Sequence, residues 1–101
     1  MKRAINLAKQ AKGEIPVGAL IVKDGEVIAE TFNQKEVLND VTAHAEILAI
    51  REAELKLGRW RLEDCEMYVT LEPCAMCAGA LTPSRINKVY IGAKDEKNGC
   101  V

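Results

Sequence analysis

The chain has 101 residues, 49% of them hydrophobic, 29% charged and 4% aromatic, with a formal net charge of −1. That balance excludes a disordered polar chain and a globally basic nucleic-acid binder, and it leaves room for one domain built on an aliphatic core. No apolar run approaches the roughly 18 residues of a membrane span, and Met1-Lys2-Arg3-Ala4-Ile5-Asn6 does not open a secretory segment. A cytoplasmic protein of residues 1–101, forming a single domain with no membrane partner, is therefore expected. In that compartment four cysteines point to metal binding rather than disulfides.

Ala4, Leu7, Ala8 and Ala11 fall on one helical stripe, which predicts a helix over 2–12 stopped by Gly13. Residues 17–23 and 26–32 are β-branched and apolar, and Asp24-Gly25 joins them as a hairpin. Residues 33–41 are polar and read as loop. A helix is expected from about Ala43 to Leu57, with Ile47, Ile50 and Leu57 on one face and Gly58 as its C-cap. Met67 to Leu71 reads as a buried strand, Pro73 opens a short helix to about Leu81, and Ile86 to Ile91 reads as a further strand. Residues 92–101 show no clear element.

The order α-β-β-α-β-α-β predicts an α/β fold. The strands that follow helices should run parallel through right-handed crossovers. The hairpin adds an antiparallel pair, so the sheet is mixed, with helices packed on it. The chain stops soon after the fourth strand. A domain this small gains from a metal or a partner subunit.

Three soft-metal ligands stand out. His44 is the only histidine, and Cys74 and Cys77 form Cys-x-x-Cys. Each group sits at the first turn of an expected helix. The i, i+3 spacing puts both sulfurs on one face, and the positive helix end should lower their pKa and favour thiolate, the zinc-binding form. Three ligands leave one position of a tetrahedral zinc open to water, which distinguishes a catalytic site from a closed structural one. Bound zinc can lower the pKa of that water toward about 7. Glu46 stands two residues after His44, and a carboxylate placed there could shuttle the protons that a hydrolytic reaction of that water moves.

Blander readings stand beside these. Cys-x-x-Cys could be a redox pair, and Cys65 or Cys100 could close a structural zinc site. Glu46 could be an ordinary first-turn acid. Asn33 could simply end a strand, Asp95 could turn the tail, and Glu72 could orient backbone. Arg59, Trp60 and Arg61 could stack on and contact RNA, or Trp60 could cover a helix end between solvated arginines. Arg85, Lys88, Lys94 and Lys97 could extend a basic rim or be scattered surface charge.

His44-Ala45-Glu46 followed by Pro73-Cys74-Ala75-Met76-Cys77 is a signature of zinc nucleobase deaminases. With Ile15-Pro16-Val17-Gly18-Ala19, Asn33, Thr70-Leu71-Glu72, Ala78-Gly79-Ala80, Ser84-Arg85-Ile86 and Gly92-Ala93-Lys94-Asp95, it makes the chain resemble the cytidine/deoxycytidylate deaminase superfamily. Within that superfamily it is most similar to the bacterial tRNA-specific adenosine deaminases. The resemblance implies a cytidine deaminase-like three-layer α-β-α fold. It implies one zinc ion on His44, Cys74 and Cys77, with Glu46 as proton shuttle. It also implies that Asn33, the Val17 region and the Ala45 backbone form the pocket for a flipped base and its ribose, and Asp95 is placed near that substrate as well. The activity implied is conversion of the wobble adenosine of a tRNA anticodon loop to inosine, by a homodimer. Other single-stranded nucleic acid, cytidine, guanine or a nucleotide are rival substrates, and a catalytically impaired, zinc-stabilised binding domain is a rival of another class. One departure stands out: the family pattern continues through a further strand and one or two helices. A fold truncated after the fourth strand is therefore expected here.

Overall fold

The strand that begins at Gly18 serves two cores at once. The computed structural model describes residues 1–11, 16–95 and 99. In β1 (Gly18–Lys23), Ala19 and Ile21 face the larger core, while Leu20 and Val22 face a smaller one on the opposite side. β3 (Cys65–Leu71) repeats this alternation, with Met67 and Val69 turned one way and Tyr68 the other. Period-2 alternation with both faces apolar is the mark of a sheet covered on both sides.

The sheet order is β2-β1-β3-β4, with β2 at Glu26–Phe32 and β4 at Lys88–Ala93. β1 is antiparallel to β2 and to β3, and β3 is parallel to β4. The mixed sheet, and the parallel run of the two strands that follow helices, match expectation. Asp24 and Gly25 both have positive φ, 52° and 77°. That is the backbone a two-residue hairpin needs to follow the strand twist. The register slips after Ile21, which pairs with Ala29, because Val22 pairs with Val27. Ile28 is the extra residue, and it joins Ala29 in the same core.

Helices cover both faces. α1 (Lys2–Ala8) packs Ala4 and Leu7 against Leu20. α3 (Ala45–Leu57) and α4 (Ala75–Ser84) lie on the other side, where Ala45, Ala49, Ile50, Ala53 and Leu81 complete the larger core. The three-layer expectation is met. No helix among the described residues is long and apolar enough to cross a membrane.

Several element limits differ from the sequence reading. α1 ends at Ala8 rather than residue 12, because Gln10 and Ala11 bond three residues back, to Leu7 and Ala8, in a tightened turn. The proposed stop at Gly13 lies outside the described residues. Within the expected loop, Lys35–Leu38 form a single helical turn, α2, closed by left-handed Asn39. One turn is too short to print a hydrophobic period. Pro73 does not open α4 from within: it precedes the N-cap, Cys74, and is fully buried. α4 runs on through Pro83 until Arg85 turns left-handed at φ 64°. β3 begins two residues earlier than expected, and β4 is shifted two residues later, with Ile86 packed against the core ahead of it.

Candidate metal centre

Two helix N-termini meet beyond one end of the strands, and each offers its N-cap residue. Asp40 sets up the first. Its carboxylate accepts from the Thr42 N–H at 2.9 Å and the Thr42 hydroxyl at 2.7 Å, which holds that carboxyl below its ordinary pKa. The Ala43 carbonyl is held by the Gln34 N–H at 2.9 Å. The chain then enters α3 with His44 extended, at ψ 149°. The second arises where β3 ends. Buried Pro73 cannot continue a ladder, and Cys74 follows extended at ψ 179°, so α4 begins at Ala75 with Cys77 in its first turn. An N-cap side chain projects ahead of the helix, and here the two projections converge.

Cys74 Sγ lies 3.7 Å from Cys77 Sγ. His44 Nδ1 lies 3.8 Å from Cys74 Sγ and 3.5 Å from Cys77 Sγ. A tetrahedral zinc, with Zn–S of about 2.3 Å and Zn–N of about 2.0 Å, requires S···S of about 3.8 Å and S···N of about 3.5 Å. The donor triangle fits that ion, and its donor types are those zinc prefers. A disulfide would need the sulfurs at about 2.0 Å, so the cysteine pair is not joined. Cys65 stands apart, buried at the start of β3 with its thiol directed to Asp64, and burial pushes that thiol up to about 11. Among the described residues no fourth ligand joins the group. Cys100 lies outside them.

Glu46 is 4% exposed, and its Oε1 has no hydrogen-bond partner among the described residues. Burial raises its carboxyl above the usual range, partly offset by its own backbone N–H, by His44 and by Cys77. An unpaired buried carboxylate oxygen is costly unless something polar occupies the space it faces. The Cys77 thiol behaves opposite to the helix-dipole expectation. Burial, then the nearby Glu46 and Cys74, push it well above its ordinary value. Desolvation and neighbouring negative charge outweigh the N-terminal dipole, whose effect is confined to about a turn. A divalent cation would reverse this.

His44, Glu46 and Cys74 open onto a cavity of about 440 Å³. Val17, Asn33 and Asp95 line it too, so most of the expected site comes together. Cys77 lies fully buried in the ligand group. Ala45 is not on the cavity wall. It is buried, and its N–H donates to Asn33 Oδ1 at 2.7 Å. Glu72 lines the cavity and accepts the Asp95 N–H at 3.2 Å, in keeping with the backbone-orienting reading. Lys35 and Leu71 also line the cavity and went unnoticed in the sequence. The short α2 turn that presents Lys35 left no pattern there. Away from the site, Arg59 Nη2 donates to both carboxylate oxygens of Asp64 at 2.8 Å, and Arg61 stacks 5.1 Å over Trp60, which is 56% exposed. Lys97 of the suggested basic rim lies outside the described residues.

Residues 1–93 match the cytidine and deoxycytidylate deaminase zinc-binding region. The chain belongs to this family. Over its whole length it is 56% identical to the tRNA-specific adenosine deaminase of Aquifex aeolicus, of which it spans 68%. A solved structure from work on A-to-I editing by tRNA:A34 deaminases is 50% identical, with a TM-score of 0.95, covering 98% of this chain and 78% of that one. The guanine deaminase of Bacillus subtilis is 47% identical, with a TM-score of 0.88 over 92% of this chain and 61% of that one. The matched region contains the group of His44, Cys74 and Cys77, and Glu46 lines the cavity onto which His44 and Cys74 open.

Proposed function

We propose that the chain, as one deaminase domain, converts the wobble adenosine of a tRNA anticodon loop to inosine by hydrolysis, releasing ammonia. The observation that carries this is the ligand triangle with, on the same cavity, Glu46, one of whose carboxylate oxygens has no partner among the described residues. The names of its relatives support the substrate. His44, Cys74 and Cys77 would hold one zinc, which would supply an acidified water. Glu46 would take one proton from the attacking water and pass it to adenine N1, then take that oxygen's second proton and pass it to the amino group as the C6–N bond breaks. The raised affinity of Glu46 for protons suits a group that must both accept and return them. Asn33, whose amide oxygen accepts the Ala45 N–H, lines the pocket for the base or ribose. Val17 supplies an apolar part of the wall, and Asp95 lines the same cavity. An unpaired loop base enters such a pocket at less cost than one in a duplex.

The likeness to a guanine deaminase supports a second reading, a free purine base as substrate. Zinc-loaded protein is incubated separately with an anticodon stem-loop, adenosine, guanine and cytidine, and ammonia and inosine are measured. Inosine in the RNA is expected. Turnover of guanine alone would replace the first reading with the second. Zinc retained with no turnover of any substrate would leave a zinc-stabilised binding domain. A homodimer and a cytoplasmic location belong to the same proposal. An apolar groove lined by Ile47, Ile50, Trp60, Ala80 and Pro83 supports the dimer, and monomer mass in light scattering would remove it.

A further inference from the structure

Two side chains at the end of β2 reach the same residue of α3. Thr31 is 5% exposed and Asn33 is 7%. Two residues apart on extended chain, they turn to the same face, the one that carries α3. The Thr31 hydroxyl donates to the Ala45 carbonyl at 2.6 Å, and Asn33 Oδ1 accepts the Ala45 N–H at 2.7 Å. Ala45 stands between the ligand His44 and the acid Glu46.

A peptide unit is planar, so gripping one of its polar atoms sets the tilt of the whole unit. The Ala45 N–H belongs to the His44–Ala45 peptide. The Ala45 carbonyl belongs to the Ala45–Glu46 peptide. Asn33 therefore holds the plane leading out of His44, and Thr31 holds the plane leading into Glu46. The second plane also contains the Glu46 N–H, so its tilt sets the direction in which the chain enters Glu46. The helix does not demand the Thr31 bond, because a carbonyl in the first turn already accepts from the residue four on. The hydroxyl is an additional donor at the carbonyl of the peptide that leads into the proton carrier. Thr31 is not among the residues lining the cavity and its hydroxyl bonds main chain, so its influence on the site passes through the main chain.

We propose that Thr31 is a positioning residue, whose hydroxyl holds the Ala45–Glu46 peptide so that the Glu46 carboxyl stands at the cavity beside His44, Cys74 and Cys77. The effect on rate rests on the deaminase reading above; the effect on the main chain does not. A merely structural role, a buried hydroxyl satisfied by a convenient carbonyl, would lower stability without a local change at residues 44–46.

The test compares the full chain, zinc-loaded, with Thr31→Val and Thr31→Ser. Valine keeps the shape and removes the donor; serine keeps the donor. The readouts are kcat and KM on the anticodon stem-loop, zinc content, and amide hydrogen exchange at residues 44–46 against Ala19 and Ile21. For Thr31→Val, kcat per zinc should fall about ten- to a hundredfold, the scale of a small misplacement of a catalytic group. KM should stay within about twofold, since uniform binding is untouched. Zinc content should match the parent, and exchange should quicken at residues 45 and 46 alone. Thr31→Ser should restore both rate and exchange. Parental kcat with parental exchange would overturn the proposal. So would a rate loss that follows lost zinc or globally faster exchange, or a serine variant no better than valine. If Thr31→Val does not fold, Thr31→Ala removes the same donor with the same expected readouts. An inactive parent would defeat the deaminase reading, and the exchange comparison would still decide whether Thr31 holds this peptide.

Discussion

Glu46 occupies a position that stability alone would not choose. It is buried, its carboxyl is raised by that burial, and one oxygen has no partner among the described residues. An ordinary first-turn acid would stand in solvent and interact with the helix dipole. Glu46→Gln keeps the shape and removes the proton-carrying function. Turnover should fall by at least about a hundredfold, the usual range for a lost general acid–base group. Zinc should stay at one per chain, because Glu46 is not in the ligand group. Metal analysis alongside a single-turnover assay checks this, and a Glu46→Gln protein with undiminished rate would remove Glu46 from the chemistry. The ligands and this acid were legible in the sequence because residue type and spacing carry zinc chemistry directly. Thr31 was not. Its contribution is one hydrogen bond to main chain fourteen residues away, and nothing local in Glu30-Thr31-Phe32 points to it.

The long elements were legible as well, because each prints a period. α3 shows its apolar face and its glycine stop, and the hairpin announces itself in Asp24-Gly25. The short turn α2 and the early end of α1 were not, since both depend on local hydrogen bonds and packing rather than on any repeat. The contact of α1 with the sheet is the clearest case. A Cβ on Gly18 would collide with the Ala4 carbonyl oxygen and lie 2.6 Å from the Ala8 nitrogen. Both are backbone atoms, so α1 itself would have to move. Gly18→Ala should cost about 1–3 kcal/mol, as overpacking does. Gly79, in the interior of α4, has nothing within 4 Å of the added carbon. Gly79→Ala should stabilise by about 0.5–1 kcal/mol, because it removes only backbone freedom. Denaturant melts of both variants test the pair. The same sign for both would mean that close approach, rather than helix propensity, is not what separates these glycines.

Across the whole molecule, the ligand group ties together two helices whose N-caps lie thirty residues apart in sequence. Without a cation that junction is electrostatically poor. A raised carboxyl and a raised thiol sit side by side, each made more costly to ionise by burial, and the Cys77 thiol further so by Glu46. Metal-free protein therefore keeps the Cys77 proton near neutral pH, and zinc must displace it to bind thiolate. The zinc form holds fewer protons than the metal-free form, so linkage gives the sign: apparent zinc affinity rises with pH. Two thiolate ligands release up to two protons per zinc, the Cys77 proton among them, so affinity climbs about tenfold to a hundredfold per pH unit below the raised thiol value. Calorimetry of zinc uptake in two buffers of different ionisation enthalpy counts those protons. Competition with a chelator at pH 6.5, 7.0 and 7.5 measures the slope. Because zinc binds the folded chain, the melting temperature of holo protein should exceed that of chelator-treated protein, and by a margin that widens as pH rises across the same interval. A flat affinity with no proton release would mean that Cys77 is already ionised in the metal-free protein, and that the N-terminal dipole outweighs burial at this junction after all.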